Sequence, residues 1–427
     1  MLTVLFKIPL QKLKGGALTY VIIMVLVIST ILSMYLLYRY YSVLNVDIQY
    51  WNIRLDQNID SGVLLIENNV FKPDYKETIS KPIFKESIDT VIAERKSWGV
   101  FDIISVKSRH KGIKRQKLFL SGVDFKKCSF PALYLADKNR YLSLSGKKGI
   151  VGNCVLPPMG IRKGYAEGIG FYADSLVYGT IKESGKKLPE IAAKFSDFEK
   201  LLFCDNDSLV DFQSVTYGET LFNSFRNNKI IIKGKKIFNP AGIKLKGNII
   251  LAGDSLLILD KSMSLTDVIV KAQVIQVKSG FAGKVQLFAT RSIIIEPKAK
   301  LLYPSFIMVN TKHNIEENIP ALTIKSGSFI YGGLSVVDNN DKSNNAICKM
   351  EKGSLVSGVA YIKGTVDLEG AIFGSLYTEM FKIKTRVASY ENHLSNVVIN
   401  SRAVKSGFAT VDIFENKENS KCIYPVE

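Results

Sequence analysis

From Ala17 to Tyr38 the chain runs for 22 residues without a charge. As an α-helix such a run is about 33 Å long, the thickness of a bilayer's hydrocarbon layer, so the first predicted element is a membrane-spanning helix. A secretory signal peptide has a shorter apolar region, about 7 to 15 residues, closed by a small-x-small cleavage site. Ser29 and Ser33 instead lie inside the run, and Met34, Tyr35 and Leu36 follow with no polar cleavage region, so the span is expected to be retained. Lys7, Lys12 and Lys14 precede it and only Arg39 follows closely before Asp47. This asymmetry puts the N-terminus in the cytoplasm and everything after Tyr41 outside. No second apolar run brings the chain back, so a single-pass protein is expected.

Beyond the span, Leu44, Ile48, Trp51, Leu55, Ile59, Val63 and Ile66 recur at steps of three and four, one face of a helix. The pattern predicts an amphipathic stalk whose stripe packs either on the protein's own sheet or on a neighbouring subunit's helix. Gly62 weakens this helix, and Pro73 and Pro82 mark a break before a second helical piece around Ile83 to Lys96. From Trp98 the period turns to two. VFDIISVKS and RQKLFLSGV, separated by the basic linker around His110 to Lys114, predict a hairpin. A further strand pair is expected at Ala132 to Ala136 and Tyr141 to Ser145, then short strands broken by Gly and by Pro157 and Pro158, and one helix over Ile191 to Phe203.

After Lys229 the runs KIIIKG, GIKLKG, NIILAG, SLLILD, VIQVKSG and SIIIEP, and later AYIKG, TVDLEG and AIFGS, are short alternating segments separated by Gly, Asp, Asn or Lys. Short, evenly spaced strands with tight turns predict the stacked coils of a parallel β-solenoid, with an antiparallel sandwich as the alternative. Asn339 to Ala346 is expected as a polar loop leaving the stack. The predicted class is therefore mainly β. Its parts are a cytoplasmic leader (1–16), a transmembrane helix (17–41), a helical stalk (42–97), a β-rich domain with one helix (98–228), a solenoid (229–400) and a C-terminal tail (401–427).

Composition narrows the function. The chain has 427 residues, 47% hydrophobic, enough for a real core, and a net charge of +18 that would draw polyanions, acidic polysaccharide among them. The lysines are mostly single and spaced along strands, which protects sheet edges, and no basic-aromatic recognition motif accompanies them, so no specific nucleic acid is expected. Five cysteines without a CxxC exclude a disulfide framework; Cys128 and Cys154 are the nearest pair for a single bridge. His110, His313 and His393 stand in no metal-binding spacing, and no phosphate loop, dinucleotide fingerprint or nucleophile elbow appears, so no metal, cofactor or enzymatic activity is expected. Asp254, Asp260, Asp267, Asp367 and Glu369 would be brought together only by stacking, and acidic residues at such turns usually cap backbone amides. Tyr303, Phe306, Phe329, Tyr331, Tyr361, Phe373 and Tyr377 would form either a sugar-stacking stripe or rung-to-rung ladders. The alternative function is accordingly a membrane-anchored β-helix that binds or cleaves carbohydrate.

The segment KGGAL, Lys14, Gly15, Gly16, Ala17 and Leu18, places a basic residue and glycines immediately before the apolar helix. It resembles the type III signal of type IV pilins and type II secretion pseudopilins. The resemblance implies cleavage after a glycine at the cytoplasmic face, leaving the helix as the assembly element, with pilin-like subunits or secretion machinery as partners beside the lipid bilayer. Major pilins carry glutamate at the fifth mature position; here, counting from Gly16, that position is Tyr20, or Val21 if Ala17 is first, and the resemblance is therefore to the minor members, since some tip-located minor pseudopilins lack this glutamate too. A second stretch, GSLVSGVAYIKGTVDLEGAIFGSLYT from Gly353 to Thr378, resembles the glycine-punctuated rungs of bactofilin-type solenoids. The layout including Ala132 to Pro158 is similar to exported proteins of Bacteroidota. Together these imply a bacterial inner-membrane protein with a periplasmic or extracellular head.

Overall fold

In the computed structural model, residues 16–75, 77–82, 90–195, 198, 202, 208–211, 218, 220–311, 319–338, 346–384, 388–415 and 420–426 are described. A single helix, α1 (Gly16–Glu67, 52 residues), opens the chain. It has no proline, and two hydroxyls within the apolar run are satisfied locally: Ser29 Oγ donates to the Leu26 carbonyl at 2.9 Å and Thr30 Oγ1 to that of Val27 at 2.8 Å. The helix ends where Asn69 takes a left-handed conformation (φ 61°) and the Val70 and Phe71 amides return to the Leu65 carbonyl.

The end of α1 lies on an antiparallel sheet of β1 (Thr78–Pro82), β2 (Thr90–Trp98), β3 (Phe101–His110) and β4 (Ile113–Asp124), in that order. The predicted hairpin is β3–β4, turning at Lys111 (φ 49°) and Gly112. The second helical piece is corrected: residues 90–96 are strand, because Val91 and Ala93 alternate inward and bury fully against Ile59 and Ile66 of α1, while residues 83–89 lie outside the described set. The stalk helix accordingly stops at Glu67 rather than reaching residue 97. The expected tail is also corrected. Residues 420–426 and 409–410 pair antiparallel with β4 and complete this first sheet from the far end of the chain. At its centre Asp102, 2% exposed, accepts hydrogen bonds from Arg95 Nε at 2.9 Å and Tyr75 Oη at 2.8 Å.

Most of the remaining strands form a sheet that closes on itself, its neighbours parallel throughout except at residues 389–391, while 150–151 pairs with 177–178 and 142–145 with 161–163 and 393–395 in two small separate parallel sheets. The parallel registers exclude an antiparallel sandwich for this region. They also stack like on like: Ile232, Leu251, Val270, Leu287, Ile307, Leu334, Ala360, Leu376, Leu133 and Cys154 follow one another in a continuous inward column, every member buried. The column shows that residues 133–156 extend the stack beyond residues 371–384, so a boundary at 228/229 divides one body. The expected pairing of Ala132–Ala136 with Tyr141–Ser145 does not occur; Leu133–Leu135 joins this column, and Leu142–Ser145 pairs with 161–163 and 393–395. Of the helix expected over Ile191 to Phe203, a 3-10 turn at Ala193–Phe195 and helical residues Phe198 and Leu202 are described, and Phe195, Phe198 and Leu202 are buried in one cluster with Ile231, Ile250, Ile269, Phe288 and Phe306. The loop expected at 339–346 falls outside the described residues except for Ala346. Gln286 ties the closed sheet to the first sheet, accepting from the Val100 amide at 2.8 Å and donating to the Trp98 carbonyl at 3.2 Å.

Candidate functional site

Lys14 and Gly15 lie outside the described residues; Gly16, Ala17 and Leu18 form the first turn of α1. From Gly16 to Tyr50 every residue but Ser42 is exposed, although most are large and apolar, and this part of the helix is long and apolar enough to cross a membrane. Leu44 and Ile48 of the predicted stripe remain 41% and 38% exposed. Trp51 begins the contact with the sheet, its ring stacked on His110 with centroids 3.4 Å apart. Leu55, Ile59 and Ile66 are then buried, and Gly62 is what lets the helix settle: a Cβ there would stand 2.9 Å from Val91 Cγ1. Ion pairs flank this seam, Arg115 to Asp56 at 2.9 Å, Lys117 to Asp60 at 2.9 Å and Lys421 to Glu67 at 3.6 Å. Exposed pairs of this kind add little energy and fix the helix's rotation on the sheet.

Two of the acidic residues picked out in the sequence make structural hydrogen bonds, whereas Asp367 keeps a buried Oδ1 without a partner among the described residues. Asp260 accepts from the Ser262 amide at 2.7 Å across a turn, and Asp267 from the Tyr424 hydroxyl. Phe306, Tyr361 and Tyr377 are buried; Tyr377 stacks on Tyr134 at 5.6 Å and lies 6.1 Å from Tyr361, a ladder across neighbouring strands. Cys128 and Cys154 are not bridged: Cys154 sits in the column beside Leu133, whereas Cys128 follows the end of β4. Burial pushes the Cys154 and Cys348 thiols up to about 12. Among the described residues no cluster of His, Cys, Asp or Glu is placed to hold a metal ion.

One concave site is built by residues that the linear pattern does not connect. A cavity of about 750 Å³ lies where the three-stranded parallel sheet of 142–145, 161–163 and 393–395 meets the hairpin of 371–384 and 389–391. Arg140, Arg162, Lys163 and Lys382 line it with Tyr141, Tyr165 and Tyr390. The Arg162 guanidinium lies 3.2 Å from the Tyr141 ring centroid and donates to Ser143 Oγ at 3.5 Å, while Arg140 pairs with Glu391. At the back, His393 Nε2 and Ser145 Oγ are 2.9 Å apart. Ser145 is 2% exposed, so this pair joins two strands and presents no nucleophile. Burial holds His393 below the ordinary imidazole value, and Gly164 leaves room for its ring, since a Cβ there would stand 2.7 Å from Cε1. The signal in the sequence was the local cluster RKGY, Arg162 to Tyr165; its partners from residues 382–393 become visible only with the fold. No family model, no curated protein and no solved structure matches the chain.

Proposed function

We propose that this chain is a non-enzymatic, single-pass protein of the bacterial inner membrane, a minor pilin-like or pseudopilin-like subunit that displays a β-solenoid head outside the cytoplasm. The observation that carries this reading is the division of α1. Its second part is consumed by the protein's own sheet, whereas its first part, exposed from Gly16 to Tyr50 apart from Ser42, has no covering surface among the described residues. A bilayer and the helices of other subunits together supply what that surface lacks. The long in-register column supports the solenoid, in which each rung buries the next and the head projects as a rigid body. KGGAL then serves as the processing signal, with cleavage behind Gly15 or Gly16. Intact-mass measurement of protein extracted from its native membrane tests this. Loss of residues 1–15 or 1–16 is expected, and a full-length mass would remove the pilin-like assignment and leave the anchored head.

A further inference from the structure

The cavity beside the three-stranded sheet combines features that point to a ligand of defined chemistry. Four of its lining side chains are cationic, Arg140, Arg162, Lys163 and Lys382, against one carboxylate, Glu391, which Arg140 already neutralises. The lining also carries the hydroxyls of Ser389 and Tyr390, while those of Tyr141 and Ser143 accept hydrogen bonds from Arg162. Arg162 is held in place by its stacking on Tyr141 and its hydrogen bond to Ser143, so its remaining donors are oriented before any ligand arrives.

The rim supplies an independent observation. Outside α1, the most exposed tyrosines among the described residues are Tyr165 at 71% and Tyr172 at 66%. Both flank Gly170, which would bring a Cβ within 3.7 Å of Tyr172 and 3.9 Å of Tyr165, and the Gly170 amide donates to Tyr172 Oη at 3.4 Å. Tyr165 lines the basic cleft and Tyr172 stands across Gly170 from it, outside the lining, both rings largely in water, which offers a stacking surface beside the cleft.

We infer that this cleft binds a carboxylated polysaccharide, with Arg162 and Lys163 taking the acidic groups and Tyr165 and Tyr172 stacking on sugar rings. A uronic acid polymer offers one carboxylate per ring among several hydroxyls and apolar C–H faces, which matches cations accompanied by hydroxyls and tyrosines. A nucleic acid has a phosphate at every residue and would ask for an unbroken line of cations. Charge-assisted bonds to carboxylates supply the affinity, and the dispersion of the cations supplies the selectivity. The inference goes beyond the anchoring role and does not depend on whether the leader is cut.

The test uses the full-length protein in nonionic detergent, with polygalacturonate, alginate, neutral dextran and single-stranded DNA as probes. Binding of the two acidic polysaccharides is expected, weakening as salt is raised, with dextran not retained. The double variant Arg162→Gln, Lys163→Gln and the single variant Tyr165→Ala should each bind about tenfold or more weakly. These side chains are exposed, so the thermal midpoint should stay at the wild-type value. Failure of the wild-type protein to bind either acidic polysaccharide, or unchanged binding by both variants, would overturn the site. Equal or tighter binding of single-stranded DNA would overturn the ligand class.

Discussion

Gly374 shows how little freedom a stacked residue has. It pairs with Gly358, which pairs with Gly332, and all three take φ between 127° and 147°, a region that side chains rarely enter. A Cβ at Gly374 would fall inside the van der Waals envelope of the Gly358 carbonyl oxygen. Gly374→Ala should therefore cost about 3 kcal/mol, combining backbone strain with displaced rungs, and the shift in a urea unfolding midpoint measures it. The punctuating glycines Gly358 and Gly374 were visible in VSG and IFGS, but that they stack on one another and on Gly332 required the register. His393 carries a different residue-scale consequence. Its folded-state affinity for protons is below that of the unfolded chain, because charging it would place a cation in a buried position. Folding thus releases protons, so its contribution is complete above the ordinary imidazole value of about 6.5 and is lost as pH falls through the lowered folded value. Stability measured from pH 7 to pH 5 should fall less steeply in His393→Gln than in the wild type, and an identical slope would show that the imidazole is not the group responsible.

Among elements, α1 was the most legible, because a long uncharged run and a stripe at steps of three and four are both local signals. The stripe also divides in a way that local pattern does not reveal: Leu44 and Ile48 stay exposed, while Leu55 and Ile59 are fully buried on β2, β3 and β4. Ile59→Ala should destabilise the docked half by about 3 kcal/mol and open the helix–sheet seam to protease, whereas Leu44→Ala should change head stability by less than about 0.5 kcal/mol. Equal effects at the two positions would mean that the seam does not hold the helix. Strand β2 was misread because Ala93, Glu94, Arg95 and Lys96 favour helices. Its conformation comes instead from burying Val91 and Ala93 under α1 and from pairs such as Lys107 to Glu94 at 2.8 Å, neither of which is encoded nearby. Similarly, the hairpin β3–β4 was plain from its alternation, but the strand at 420–426 that pairs with β4 comes from the far end of the chain.

For the molecule as a whole, the repeat of short alternating strands was enough to anticipate a mainly β head with parallel stacking. The return of residues 133–156 to the end of the stack was not, because closure of a sheet by sequence-distant strands leaves no periodic trace. The same holds for the basic cleft, whose walls are separated by more than two hundred residues. The first part of α1 is exposed, and the central claim is that this surface is used for packing against other subunits. The most direct test places a photo-crosslinking residue at successive positions from Val25 to Leu37 in full-length protein in its native membrane. The account expects covalent adducts to another copy or to a second helical protein, recurring every three to four positions along one face of the helix. Adducts to lipid alone, uniform around the helix, would contradict it and reduce α1 to an ordinary anchor.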